Sequence, residues 1–517
     1  MLTLDGLQGL GGSQVPVRDL VELNKALQTQ GLYKAGAAAG HPTPMTTSAS
    51  DFAPLIPQSI QTVLDSATFT ESMVKFFRML PKVPVGSTVH EAIVMNEHGS
   101  LHLDPFIAEG GKNIRSSAEY ARKSVKVRYL AELREITDVA TMVNTIGGGA
   151  VSKQGLALET QAGTTSLLGK LERSLFWANS GLSDLHFDGI FGQIGEVSFP
   201  GANQTVSVKV GANDSNYEDL KGAALTSQKL LEGIYSVYSA PNYGIPTAIL
   251  VEPRTYAALQ QEAFNKARFG LEANVGAPLT LYQGQLQIAG PTGSVPIHSC
   301  PLLLPPQTPP SAATNPNSSA ALAKPAVALA ELDAGALAGL GDYGGAGSNV
   351  NGLKDGAGTA DASDAGAVSY KVMSVNAEGH SEPSDVDTVT LDADSRGVSL
   401  TITDNGLTVT NLYYRVYRTA PGGSTNAGDY KWAFDVPAKS GGNTVIVDDF
   451  KMRAGTAPAF ILQATPDVMI WTQLLDFLRR PLAQTNTSVP FLLMLFGSPF
   501  VKVPSKNFIF GNCKVGI

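Results

Sequence analysis

The stretch KQGLALETQAGTTSLLGKLERSLFWANSGLSDLHFDGI, Lys153 to Ile190, decides the fold. Within it Thr164, Leu168, Leu171 and Leu175 recur at steps of four, three and four, the spacing of a helix with one buried stripe, and Phe176 widens that stripe. Gly181 and Asp184 end the helix in a polar bend before Phe187 and Ile190 return to apolar ground. Gly155 and Gly163 weaken a free-standing helix, so they predict a bend or a close backbone approach. A long helix that needs outside support lies across something supplied by the rest of the chain.

The chain has 517 residues, enough for about three domains. Apolar residues make up 43% and charged residues only 16%, below the usual ~25%. Such a chain hides much of its surface, either within itself or against further copies. A formal charge of -8 argues against a protein that wraps nucleic acid, leaving room for a local basic face. Cys300 and Cys513 stand in no metal-like spacing and read as two reduced thiols. No charged n-region and apolar run opens the sequence, so no secretory export is expected. The run Phe491 to Phe496 is too short to cross a bilayer.

Upstream of the helix, residues 1 to 50 form a Gly-, Ala- and Pro-rich arm with a short helical candidate at Pro16 to Gln28. Val85 to Met95 and Ser124 to Glu135 alternate as strands around a polar, Gly-punctuated excursion, Asn96 to Ala121. They predict a two-stranded ribbon, which is marginal alone in water and needs another surface, such as a neighbouring subunit. Downstream, Gly195 to Val210 is strand-like, and Asp219 to Tyr238 is the cleanest amphipathic helix. Ile245 to Val251 reads as a buried strand, and Pro253 opens a further helix. Leu279 to Ile288 and Val295 to Leu304 supply more strands. Helix, buried strand, helix signals a small sheet covered by helices.

Periodicity breaks over residues 305 to 365, a Pro-, Ala- and Gly-rich linker with one short helical candidate between Ser319 and Leu340. Between Val368 and Phe450, short alternating segments (SYKVMSVNAEGHSEPSDVDTVTL, LYYRVYRT, TVIVDDF) separated by turn residues predict an all-β sandwich. Apolar strands resume beyond it, at Pro458 to Gln463, Phe491 to Phe500 and Phe508 to Phe510, so the sandwich reads as an insertion.

In this order, the pieces resemble the HK97-like major capsid proteins of tailed bacteriophages. The resemblance rests on FIAEGG (Phe106 to Gly111), AEYARKSVKVRYLAELREITD (Ala118 to Asp138), LLGKLERSLFWAN (Leu167 to Asn179), FDGI (Phe187 to Ile190), GIPTAILVEPRTYAAL (Gly244 to Leu259) and VKVPSKNFIFGN (Val501 to Asn512). It covers roughly residues 51 to 304 and 454 to 517. It implies an α+β, HK97-like capsid fold: N-terminal arm at 1 to 50, start of the peripheral domain at 51 to 95, and extended loop with its return strand at 96 to 135. The spine helix and peripheral domain follow at 136 to 218, the axial domain at 219 to 304 and the linker at 305 to 367. An immunoglobulin-like or fibronectin type III-like insertion then occupies 368 to 450, and 451 to 517 returns to the core. The implied function is self-assembly as hexamers and pentamers into the icosahedral head around double-stranded DNA. That DNA is held without sequence-specific binding, in the virion, after assembly in the host bacterial cytoplasm and with no membrane. Portal, scaffold and a decoration or cement protein are the implied partners.

Chemical motifs are sparse. His90, His98 and His102 with Asp104 tempt a metal reading, but Gly99 and Pro105 spoil a helical setting and two histidines give too few ligands, so structural or solvated histidines are expected. His186 and Asp188 belong to a turn. Asp448 and Asp449 read as a solvated acidic turn rather than a calcium site. No GxSxG, Walker, HExxH or dinucleotide motif occurs, and no cofactor, metal or catalytic role is expected. The basic residues Arg115, Arg122, Lys123, Lys126 and Arg128 are either a solvated ribbon face or docking charges that meet Glu159 and Glu172 of a neighbour. Lys112 lies where some members of this family link a lysine to a neighbour's asparagine; no partner is identifiable and no crosslink is expected. The rival readings are an encapsulin-like nanocompartment, a surface adhesin or carbohydrate-binding protein with exposed aromatics on the sandwich, and an enzyme with a nonlocal site.

Overall fold

The computed structural model describes residues 70–99, 106, 109, 111, 117–137, 155–194, 216–268, 279–313, 322–333, 366–448 and 453–515, apart from short breaks at 283–284, 377–378, 392–394, 404–411, 424, 440–441 and 485–486. The arm at 1 to 50, most of the excursion at 96 to 121, the strand expected at Gly195 to Val210 and most of the 305 to 365 linker lie outside the described residues. Nearly everything described belongs to one compact unit, Ser66–Glu135, Glu159–Gln484 and Val489–Ile517.

The described elements comprise five α-helices and twenty strands. Helix α1 (Phe76–Met79) precedes β1 (Lys82–Pro84), β2 (Val89–Glu97), β3 (Glu119–Lys126) and β4 (Arg128–Thr137). The long helix α2 (Gly155–Trp177) and short α3 (Ile190–Ile194) come next. They are followed by β5 (Tyr217–Asp219), α4 (Ser227–Tyr238), β6 (Ala248–Val251), α5 (Pro253–Arg268), β7 (Leu279–Tyr282), β8 (Gln285–Gly290) and β9 (Gly293–Ser299). Strands β10 (Ala326–Asp333), β11 (Gly366–Val375), β12 (Asp387–Leu391), β13 (Ser395–Thr403), β14 (Tyr413–Arg418), β15 (Lys431–Pro437) and β16 (Thr444–Asp448) form a separate group. The chain ends through β17 (Thr456–Leu462), β18 (Met469–Pro481), β19 (Ser488–Val501) and β20 (Phe508–Lys514).

A seven-stranded sheet in the order β5-β20-β17-β6-β9-β8-β7 mixes strands from before and after the β10–β16 group. Strand β6, AILV, is buried at all four positions, as a central strand must be. Leu230, Ile234 and Val237 of α4 and Leu259 of α5 pack onto the sheet beside Ile461 and Phe510. The helix expected from Asp219 starts only at Ser227, because 217–219 pairs in parallel with β20 and Lys221 and Gly222 then turn at φ 51° and 83°. Thr226 caps the new start, accepting from the Lys229 N–H at 3.4 Å.

The second mixed sheet, β1-β18-β19-β4, lies with the long helix α2. Its buried line runs Gly163, Leu167, Leu171 and Leu175, spaced by four, which leaves Thr164 and Leu168 half-covered at its flank. Gly163 explains the offset. A Cβ there would stand 2.6 Å from Leu493 Cδ1 of β19 and 3.2 Å from Arg134 Cγ of β4, so the glycine lets the sheet come close. Phe176, fully buried, stacks on Phe76 at 5.1 Å and meets Phe460 of β17 at 5.5 Å. Burying such a ring contributes roughly 2–3 kcal/mol.

The remaining strands make two antiparallel sheets, β10-β13-β16 and β12-β11-β14-β15. Arg418 of β14 and the Tyr370 hydroxyl of β11 both reach the Asp448 carboxylate of β16, all three nearly or fully buried, so a polar bridge joins the two sheets. Asp448 is thus no solvated turn. The expected helix between Ser319 and Leu340 is also replaced: Ala326–Asp333 is a strand paired with Ser395–Thr403. Exposed and half-covered positions alternate from Ala326 to Ala330, and the pairing overrides the helix preference of its alanines.

Candidate functional site

Alternation in β2 and β3 gives the ribbon two faces. The strands pair antiparallel with Val89 opposite Lys126, Ile93 opposite Arg122 and Met95 opposite Tyr120. The inner face rests on its own chain: His90 meets Phe500 edge-on at 6.0 Å, and Lys123 Nζ donates to the Lys502 carbonyl at 2.8 Å. Burial lowers the Lys123 pKa. The outer face is uncovered and mixes apolar with charged side chains; its apolar group has Ile93 70% and Tyr120 65% exposed, with Val89 and Met95 beside them. Glu91 and Arg122 form an open ion pair on it at 3.5 Å, worth little in water. Lys126 is exposed on the same face. On β4, Tyr129 and Leu133 continue the series of exposed apolar side chains.

Two of the basic candidates, Lys112 and Arg115, fall outside the described residues, as do His102 and Asp104. The acidic candidates are engaged within the chain itself. Arg134 Nη1 of β4 donates to Glu159 Oε1 of α2 at 2.9 Å, and Glu132 accepts from Arg134, from Ser166 Oγ at 3.1 Å and from Lys170 Nζ at 3.0 Å. Burial pulls the Arg134 guanidinium down, and the two carboxylates more than offset it, leaving its pKa raised. This network aligns β4 along the helix. Glu172 is fully buried and accepts the backbone N–H groups of Lys75 (3.0 Å), Phe76 (2.7 Å) and Phe77 (2.9 Å). The expectation that Glu172 meets a neighbour's ribbon is therefore corrected: it holds the segment entering α1 against the long helix.

Charge spacing points to the arginines and lysines and gives no sign of the exposed apolar residues Ile93, Met95 and Tyr120. The signal that finds them is the alternation itself, which gives β2 apolar residues on both faces. Asp188 Oδ1 accepts the Ser180 N–H at 2.8 Å, inside the bend after α2. Among the described residues no group of three or more His, Cys, Asp or Glu could hold a metal ion, and no helix is long and apolar enough to cross a membrane.

No family model matches the sequence. The chain aligns with a phage capsid protein over most of its length. That protein, assigned as the major capsid protein of Enterococcus phage phiEF24C, is 24% identical over 470 residues, 89% of this chain and 90% of that one. The major capsid protein of Staphylococcus phage S25-3 is 29% identical over 147 residues, 28% of this chain and 31% of that one. Among solved structures, the capsid of cyanophage P-SCSP1u gives a TM-score of 0.42 at 8% identity, covering 92% of this chain and 99% of that one. The holo-SrpI encapsulin complex from Synechococcus elongatus PCC 7942 gives 0.35 at 11%, covering 90% and 95%.

Proposed function

We infer that this chain is the major capsid protein of a bacteriophage, the subunit of the shell that encloses its double-stranded DNA. The observation that carries the reading is the alignment over 470 residues with a protein assigned to that role, spanning nine-tenths of both chains. The role is structural rather than catalytic.

The finer reading is an HK97-like subunit. In it, the long helix α2 is the spine, the seven-stranded sheet with α4 and α5 is the axial domain, and the β1-β18-β19-β4 sheet belongs to the peripheral domain. The ribbon β2/β3 is the extended loop, whose uncovered outer face docks on a neighbouring copy, with Arg122, Lys126 and the loop residues Lys112 and Arg115 setting its register. The exposed Ile93, Met95 and Tyr120 support that assignment. A shell built from hexamers and pentamers requires a rigid wedge joined to arms that adapt, and portal, scaffold and cement proteins are the further partners. The β10–β16 pair of sheets is an immunoglobulin-like sandwich inserted into the axial sheet. Every described aromatic side chain in it is at least partly covered, which disfavours the adhesin reading, since sugar binding needs an open ring face.

Negative-stain electron microscopy with sedimentation tests the function. Closed shells or hexameric and pentameric rings are expected; a monomer under all assembly conditions overturns it. DNA rather than protein inside the particle separates a phage head from a nanocompartment.

A further inference from the structure

The end of the long helix meets the β11–β15 sheet at a seam with unbalanced charge. Arg415 of β14 makes a two-pronged ion pair with Asp435 of β15, at 2.9 and 2.8 Å. Arg173, one turn before the end of α2, lies within electrostatic reach of Arg415, and its Nε is buried with no hydrogen-bond partner. His186, from the bend after the helix, lies edge-on to Tyr413 at 5.8 Å, and its buried Nδ1 also lacks a partner. Arg128, the first residue of β4, acts electrostatically on His186.

The strand–helix register places Arg128 independently. Glu132 contacts Ser166 and Lys170, and Arg134 contacts Glu159, so β4 and α2 run antiparallel. Four strand residues back from Glu132 cover about 13 Å, or about nine helical residues, which brings Arg128 level with the end of α2. Arg128 therefore comes beside His186 and Arg173 beside Arg415, where the Asp435 carboxylate is already paired with Arg415. Neither Arg128 nor Arg173 has an ion pair among the described residues. The helix C-terminus supplies only about half a negative charge. Half-buried cations without a counter-charge are costly, and so are buried donors without acceptors.

We propose that this seam is a binding site for a small oxyanion, phosphate or carboxylate, held by Arg128, Arg173 and His186 beside the Arg415–Asp435 pair. The anion bridges the helix end and β4 to the β11–β15 sheet and fixes that module on the core. The site stands on the single chain and does not depend on the capsid reading.

The test is thermal unfolding of the full chain, titrated with inorganic phosphate and in parallel with acetate, at constant ionic strength with chloride as the balance. A saturable rise in Tm is expected, abolished in Arg173→Gln and Arg128→Gln and retained in Arg78→Gln, whose ion pair lies elsewhere. The more effective titrant tells a phosphate site from a carboxylate site. A rise that never saturates and is equal in all variants is the general exclusion effect of such salts and overturns the proposal. Should the variants misfold, NMR of the titrants with the wild-type chain decides: saturable broadening of the phosphate phosphorus or the acetate methyl signal, reversed by sulfate, supports the site, and the absence of both overturns it.

Discussion

The Phe76 backbone N–H lies 2.7 Å from Oε1 of Glu172, a carboxylate with no exposed surface. Two further N–H groups, from Lys75 and Phe77, converge on the same side chain. One residue of the long helix thus holds the start of α1 in place. Burial raises the Glu172 pKa above the ordinary carboxylate value, against the pull of the three N–H groups and of Arg78.

Glu172→Ala leaves three covered donors unpaired and is expected to cost about 2–4 kcal/mol, measured by denaturant unfolding. Glu172→Gln keeps an acceptor and costs less. The pH dependence has a definite sign. A carboxyl whose pKa is raised on folding makes the folded state bind more protons. Its contribution is therefore full below the unfolded value and declines as pH rises through the folded one. Stability measured upward from pH ~4.5 should carry this decline in the wild type and lose it in Glu172→Gln.

Two glycines are expected to differ sharply in tolerance. A Cβ on Gly497 would lie 2.3 Å from the ring of Trp471, which is fully buried, and 2.7 Å from the Thr472 carbonyl oxygen. Gly497→Ala should cost about 3 kcal/mol or more. At Gly163 the nearest atom is the end of the Leu493 side chain, and alanine gains about 1 kcal/mol of helix propensity, so Gly163→Ala should stay within about 1 kcal/mol of wild type. Paired unfolding curves check both.

Trp177 and Trp432 meet edge-on at 4.7 Å, with the Trp177 indole N–H donating to the Leu303 carbonyl and the Trp432 backbone N–H to that of Gln307. Trp432→Ala should remove about 3 kcal/mol from this attachment. Limited proteolysis followed by mass spectrometry should then release a fragment containing residues 366–448 sooner than from wild type, while the seven-stranded sheet survives.

The Asp448 bridge is expected to be worse half-broken than removed. Asp448→Ala strands the buried Arg418 guanidinium and should cost about 3–5 kcal/mol. The triple change Tyr370→Phe, Arg418→Met, Asp448→Leu leaves no buried charge and should cost less, as denaturant unfolding will show.

By itself the sequence determined the long helix, the buried AILV strand, the proline-led α5 and the alternation of the ribbon, because each is written in a local period of apolar residues or a local stop. It also determined that the segments after residue 451 return to the core, since they are too apolar to stand alone. Only the tertiary structure decided the rest. Ala326–Asp333 became a strand because Ser395–Thr403 offered it a ladder, and the first half of the buried line on α2 moved by one residue, from Thr164 and Leu168 to Gly163 and Leu167, because β19 comes close at Gly163. Glu172 went to its own chain's N–H groups rather than to a neighbour. Contacts between residues 62 to 330 positions apart decide these outcomes, and a period read over a dozen residues carries no information about which distant group fills a given space.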